Sequence, residues 1–173
     1  MSSPSWRDQL NRKLSQLPAT ESGPRVAIAG IGHELNGDDA AGLMVARALL
    51  AQGSTSDRLL VIDAGPAPEN QTGVLRAFRP DLVLLVDAAQ MNEAPGAVRW
   101  IDWQDTTGLS ASTHTLPPYM LARFLVAEFG CAVALLGIQP LGNQIDAPLS
   151  PVVQQAVEAV VDGLAEALIP PES

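Results

Sequence analysis

Residues 82–88 have the sequence Leu-Val-Leu-Leu-Val-Asp-Ala, in which five apolar side chains are followed by an aspartate. A short, continuous apolar run is typical of a strand that is buried on both faces, as the strands of parallel sheets are. An aspartate at the end of such a strand is costly to bury unless hydrogen bonds or a cation compensate its charge. Asp87 therefore marks either a capped loop or a functional site.

Similar apolar runs occur on both sides of this segment, and patterns typical of helices lie between them. The other predicted strands are Arg25–Ile31, Leu59–Ala64, Ala132–Ile138 and the shorter Ala97–Ile101, and the predicted helices are Asp38–Leu50, Asn70–Phe78, Pro117–Phe129 and Pro151–Leu168. The alternation of strands and helices predicts an α/β sandwich with a largely parallel sheet.

A further helix is predicted over residues 4–17, where apolar side chains recur at helical spacing and Ser5 or Pro4 marks the start. We interpret residues 1–20 as an accessory N-terminal helix and residues 24–170 as a single domain. The length of 173 residues agrees with one domain, since domains commonly contain about 100–200 residues.

The composition excludes several classes of function. With 10 Lys and Arg against 19 Asp and Glu, the net charge is −9, which argues against binding to nucleic acid or to an anionic membrane surface. No apolar run approaches the roughly 20 residues of a membrane span, and the N-terminus lacks the apolar core of a secretory signal. The single Cys131 excludes an internal disulfide and a cysteine-based zinc site. We therefore expect a cytoplasmic protein and a monomer.

The segment after the first strand, residues 30–39, has the sequence Gly-Ile-Gly-His-Glu-Leu-Asn-Gly-Asp-Asp. A dinucleotide-binding fingerprint would need glycine at Leu35, and the nearby carboxylates would repel a pyrophosphate. Aspartate is a favoured N-cap, so Asp38 is predicted to cap the next helix. Asp39 is then left without a structural role.

Ligands of open α/β sheets collect beyond the carboxyl ends of the strands. Asp39 and Asp87 both follow parallel strands, and His114 precedes the next covering helix. By itself, His114 is best interpreted as a loop residue bonded to the backbone. Together, however, two carboxylates and an imidazole form an oxygen and nitrogen ligand set that suits a divalent transition metal with open positions.

Five motifs resemble those of one family, the maturation endopeptidases of NiFe hydrogenases, and are most similar to the hydrogenase 3 (formate hydrogenlyase) type. They are residues 30–42, Asp63-Ala-Gly-Pro-Ala-Pro-Glu-Asn70, Leu84-Leu-Val-Asp-Ala88, Thr113-His-Thr-Leu-Pro117 and Gly137-Ile-Gln-Pro140. The resemblance extends from about Val26 to Leu168. It implies a three-layer, phosphorylase/hydrolase-like sandwich, with a twisted, mostly parallel five-stranded sheet between helices.

The resemblance also implies an activity. Members of the family remove a short C-terminal extension from the precursor of the hydrogenase large subunit after nickel has been inserted. The metal-contacting residues of the family correspond to Asp39, Asp87 and His114. The nickel is then carried by the substrate, and no organic cofactor is expected.

Two points stay open at this stage. His33 stands where the family usually has asparagine, and it is either an additional ligand or a tolerated turn residue. Asp39 and Asp87 are either metal ligands or, when not ligated, a catalytic general base. Alternative functions are a metal-dependent peptidase or amidohydrolase with another substrate, and a non-catalytic nickel-binding maturation factor.

Overall fold

The computed structural model describes residues 2–18, 20–109, 116–142 and 144–171, and it contains five helices and five strands within these ranges. The helices are α1 (Trp6–Gln16), α2 (Ala41–Ala51), α3 (Thr72–Phe78), α4 (Pro118–Phe129) and α5 (Pro151–Leu168). The strands are β1 (Val26–Ile31), β2 (Leu59–Gly65), β3 (Leu82–Ala88), β4 (Val98–Asp102) and β5 (Ala132–Ile138). The predicted elements are confirmed, with boundaries that differ by up to three residues. The largest difference is at α2, which begins three residues later than predicted because a short 3-10 turn precedes it. A 3-10 turn also delays the start of α3, by two residues.

The five strands form one sheet in the order β2-β1-β3-β5-β4. All neighbouring pairs are parallel except β4 and β5, which are antiparallel. The connection from β3 to β4, residues 89–97, is shorter than the dozen or so residues that a parallel crossover requires, so the chain returns in the opposite direction. The prediction of a largely parallel sheet is confirmed.

Helices cover both faces of the sheet, which explains why the strands are apolar without alternation. On β3, Leu82, Leu84 and Val86 join one core together with residues of α2 and α5. Val83 and Leu85 point to the opposite face and join a second core with residues of α3 and α4. The predicted three-layer sandwich is therefore confirmed.

Helix α1 packs against the α2 and α5 side of the sheet. Ser5 is its N-cap, and a reciprocal capping box with Asp8 closes its first turn. Leu10 is fully buried in the core, and the ring of Trp6 lies on Gly163 of α5, where any Cβ would collide with it. The interpretation of residues 1–20 as accessory stays a prediction.

Two further features of the fold concern Cys131 and membrane spans. Cys131 is buried, and burial raises the pKa of its thiol to about 11, so it is an inert core residue. Within the described ranges, no helix combines the length and the apolar character needed to cross a bilayer.

Candidate active site

Glycine allows the start of α2 to lie directly on the ends of β1 and β3. A Cβ at Gly42 would lie 2.6 Å from the carbonyl oxygen of Ile31 and still closer to that of Val86. Gly32 has a φ of 154°, and its Cβ would meet the carbonyl oxygen of Asp39. Only glycine fits at these contacts. The glycines of the 30–42 motif therefore allow the 3-10 turn Gly37–Ala40 to pack against the end of β3.

This close approach brings Asp39, in the 37–40 turn, next to Asp87 at the end of β3. Both side chains are nearly inaccessible, at 7% and 8% exposure. Burial raises the pKa of Asp87 well above its usual value, and the charge of Asp39 raises it further. Burial also raises the pKa of Asp39, although the backbone N–H and the ring of His33 oppose this. The structure thus places both carboxyl groups at one edge of the sheet, as the strand-end argument predicts.

This carboxyl pair can bind a cation. Among the residues that the structure describes, no Arg or Lys forms an ion pair with Asp39 or Asp87. Two buried like charges favour retention of a proton between them, whereas a divalent cation would stabilise both ionised forms. Oxygen ligands from two carboxylates suit a hard or borderline metal ion or a protonated acid-base pair.

The prediction that Asp38 caps its own helix is wrong. The 37–40 turn has no side-chain cap, and the Asp38 carboxylate points instead to the segment between β5 and α5. It accepts hydrogen bonds from the backbone N–H groups of Leu141 (2.8 Å), Gly142 (3.0 Å) and Ser150 (2.7 Å). The Ser150 hydroxyl also donates to it at 2.8 Å. Successive residues of a 3-10 turn point about 120° apart, so Asp38 and Asp39 serve different partners.

Of the two histidines, the structure describes His33 but not His114. His114 lies outside the described residues, and its proposed role as a ligand stays a prediction. His33 is half-buried, and its Nδ1 accepts a hydrogen bond from the backbone N–H of Leu35 at 3.3 Å, as a turn residue would. Within the described ranges, no three His, Cys, Asp or Glu side chains are grouped closely enough to hold one metal ion.

Sequence reasoning missed the role of Gln139, a buried polar residue directly after β5. Its Oε1 accepts from the backbone N–H of Met91 at 2.7 Å, and its Nε2 donates to Oε1 of Gln90 at 2.9 Å. Gln139 thereby fixes the segment that follows Asp87. The available signal was the same as for Asp87, a polar side chain that immediately follows an apolar strand.

An exposed ion-pair network lies at the same edge of the sheet, apart from the carboxyl pair. Arg47 of α2 donates to Glu34, in the segment after β1, and to Asp63, in β2, both at 2.9 Å. Asp63 is thus a partner of Arg47 at the same edge of the sheet. Among the described residues, its carboxylate forms no hydrogen bond with Asp39 or Asp87.

Known proteins are similar to this chain in sequence. A family model for hydrogenase maturation proteases matches residues 43–167, a range that includes Asp87 and begins after Asp39. A putative hydrogenase maturation protease of Methanocaldococcus jannaschii is 34% identical over 149 residues, which cover 82% of this chain and 87% of the relative. The hydrogenase 3 maturation protease of Escherichia coli K12 is 36% identical over 135 residues, covering 78% and 85%.

The three-dimensional comparison gives the same result. The crystal structure of the [NiFe] hydrogenase maturation protease HycI from Thermococcus kodakarensis superimposes with a TM-score of 0.81 and 30% identity, covering 94% of this chain and 99% of that one. Fold and site define a three-layer α/β protein with a buried carboxyl pair at the carboxyl edge of its sheet. The chain belongs to the hydrogenase maturation protease family and is a peptide-bond hydrolase.

Proposed function

We propose that this enzyme removes the C-terminal extension of a NiFe-hydrogenase large-subunit precursor after nickel insertion, and that it recognises the nickel through Asp39, Asp87 and His114. The observation that carries the proposal is the buried Asp39–Asp87 pair, which has no cationic partner among the described residues. Such a pair favours a ligand that brings positive charge. Nickel is here part of the substrate, and the enzyme needs no organic cofactor.

Nickel that arrives with the precursor lowers the pKa of both carboxyl groups, because the cation stabilises their ionised forms. A proton that the raised pKa values retain on the pair is then released to solvent, and the oxygens become available as ligands. His114 is expected to contribute the nitrogen ligand. Recognition of this kind restricts cleavage to precursors that already contain the metal.

Hydrolysis adds one water molecule across the scissile peptide bond. The nickel polarises the carbonyl group or orients the water, and an oxygen of Asp39 or Asp87 that does not ligate the nickel accepts a proton from the water. The bond between the carbonyl carbon and the nitrogen breaks, and the proton passes to the departing amine. The extension is released, and the mature subunit ends in a new carboxylate.

Mass spectrometry of the purified nickel-loaded precursor, with and without the enzyme, tests the proposal. Two products that together contain the precursor plus one water are expected with the wild type. An intact precursor with nickel bound stoichiometrically to this protein would instead indicate a non-catalytic maturation factor. Cleavage of unrelated substrates alone would indicate another peptidase or an amidohydrolase.

Three variants test the assigned residues. Asp39→Asn, Asp87→Asn and His114→Ala are each expected to reduce the processing rate by about 100-fold or more, the usual effect of removing an acid-base or ligand group. Asp63→Asn is the matched control, since Asp63 lies at the same edge but pairs with Arg47. Full processing by all three variants would contradict the assignment. We further propose that the enzyme acts as a monomer in the cytoplasm.

A further inference from the structure

Asp38 fixes the position of the segment between β5 and α5. Both of its oxygens are engaged, one by the backbone and hydroxyl of Ser150 and the other by Leu141, Gly142 and the same hydroxyl. The backbone N–H of Asp146 also donates to the carbonyl oxygen of Leu35 at 2.6 Å. The segments after β1 and after β5 are therefore held against each other.

A cavity of about 270 Å³ lies between these two segments. Gly37 and Asp38, in the segment after β1, form one wall of the cavity. The opposite wall belongs to the segment after β5 and consists of Leu141, Gly142, Gln144, Ala147, Pro148 and Ser150. The volume is below the 300–1,000 Å³ typical of sites for whole small-molecule ligands, and it suits a single side chain.

The two segments that form the cavity carry exposed apolar side chains. Leu141, which lines the cavity, is 63% exposed, Ile145 in the same segment is 77% exposed, and Leu35 in the facing segment is 51% exposed. These are the three most exposed of the large hydrophobic residues in the described ranges, apart from Met120 on α4. Exposed apolar side chains beside a cavity are typical of a surface that binds a ligand or a partner.

The polar groups of the cavity wall are already paired within the protein. The Asp38 carboxylate accepts hydrogen bonds from four donor groups, and the Ser150 hydroxyl is shared between its two oxygens. An apolar side chain can therefore enter the cavity without leaving these groups unpaired.

The cavity lies beside the turn that carries one member of the carboxyl pair. Asp38 and Asp39 are consecutive residues of the 37–40 turn, and Asp38 lines the cavity while Asp39 lies next to Asp87. An extended peptide advances about 3.3 Å per residue. A peptide whose scissile bond lies at the carboxyl pair can therefore reach the cavity with a side chain a few residues from that bond.

We infer that this cavity is a specificity subsite, which takes a large apolar side chain of the precursor within a few residues of the cleaved bond. The inference rests on the proposed function. Leu141 and Ala147 are specificity-determining residues in this assignment, and Asp38 is a positioning residue that holds the wall to which they belong.

Steady-state processing of the nickel-loaded precursor tests the subsite. Ala147→Leu fills the cavity and Leu141→Ser removes its apolar lip, and each is expected to raise KM by about 10-fold while kcat changes by less than about threefold. Leu50→Ser is the matched control, because Leu50 is an exposed leucine on α2 that lies outside the cavity. It is expected to leave both constants unchanged.

Substitution in the precursor provides the complementary measurement. Once the cleaved bond is located by mass spectrometry, the apolar residues within a few positions of it are replaced one at a time by serine. One replacement is expected to raise KM with the wild-type enzyme, and to have little further effect with Leu141→Ser. Additive effects at every position would overturn the subsite.

The remaining outcomes separate the two proposals. Processing by the wild type with an unchanged KM for both cavity variants overturns the subsite and leaves the proposed function intact. No processing by the wild type overturns both. Light scattering tests whether a second copy of the chain covers these apolar side chains instead. If the wild type is a dimer that Leu141→Ser dissociates, the apolar surface serves self-association, and the subsite is rejected.

Discussion

Asp39 and Asp87 lie close enough at the carboxyl edge of the sheet that the charge of Asp39 adds to the effect of burial on the pKa of Asp87. The two carboxyl groups come from different elements, Asp39 from the turn that follows β1 and Asp87 from the end of β3. A buried pair of like charges lowers the stability of the free enzyme, because each ionised group is desolvated and repelled by the other. The pair is therefore maintained against its own cost in stability, as functional residues often are.

Replacing Asp87 with asparagine is expected to stabilise the free protein at neutral pH. In the unfolded chain an aspartate has a pKa of about 3.9, and in the folded protein the pKa of Asp87 is much higher. Stability therefore falls as the pH rises through the folded-state pKa, and it is recovered at lower pH, where the group is protonated. Thermal unfolding between pH 5 and 8 should show a higher Tm for Asp87→Asn, with a difference that increases with pH.

The magnitude of this shift follows from the size of the protein. In proteins of 150–250 residues, each kcal/mol of stability moves Tm by about 2–4 °C, so an increase of several degrees at pH 8 is expected. Asp63→Asn is the control, because the ion pair of Asp63 with Arg47 gives no reason for a gain. A lower Tm of Asp87→Asn across the whole pH range would contradict the prediction.

Gly42 is expected to tolerate no larger residue. A Cβ there would overlap the carbonyl oxygens of Val86 and Ile31, which belong to strand backbone and cannot move aside. Gly42→Ala should lower the free energy of unfolding by about 1–3 kcal/mol, as overpacked cores do, and should reduce processing because the 37–40 turn is displaced.

The comparison for Gly42 is Gly73→Ala in α3. A Cβ at Gly73 meets no atom within 4 Å, and alanine is favoured over glycine in a helix by about 1 kcal/mol. Urea denaturation of the two variants should therefore give changes of opposite sign. Equal stabilities of Gly42→Ala and the wild type would show that the close approach of α2 is not maintained in solution.

The burial of Leu10 is expected to make α1 contribute to the stability of the whole domain. The residue is fully buried in the core that α2 and α5 share, although the helix precedes the part of the chain that the family model matches. Leu10→Ala should lower the free energy of unfolding by about 2–5 kcal/mol, the range for buried leucines. Leu50→Ala, at an exposed leucine, should change it by much less. Similar stabilities of both variants would mean that α1 is a dispensable addition.

The strands and helices could be predicted from the sequence because four of the five strands, all except β4, are largely apolar runs and each helix begins near a Pro, Ser or Gly signal. The edge at which Asp39 and Asp87 meet could also be predicted, since the carboxyl ends of parallel strands share one side of a sheet. The distance between them could not, because it depends on the contact of Gly42 with β1 and β3. The partners of Asp38 could not be predicted either. Leu141 and Ser150 are more than 100 positions away in the sequence, and a local capping rule cannot find them.

Asp38→Asn is expected to release the segment between β5 and α5 without unfolding the sheet. An asparagine keeps the shape of the side chain, but its amide group places donors where the N–H groups of Leu141, Gly142 and Ser150 now find acceptors. Amide hydrogen exchange at these three residues should become at least about 10-fold faster. Asp63→Asn, at the same edge of the sheet, should leave their exchange unchanged.

The dependence on pH distinguishes this role of Asp38 from general destabilisation. Burial opposes ionisation, but the donors from Ser150, Gly142 and Leu141 outweigh it and lower the pKa of Asp38. The stabilisation is therefore fully present above the unfolded-state pKa of about 3.9 and is lost as the pH falls through the lower, folded-state pKa. The difference in exchange between the wild type and Asp38→Asn should be constant from pH 5 to 8 and should decrease below pH 4. A difference that persists unchanged in acid would show that the charge on Asp38 does not hold this segment.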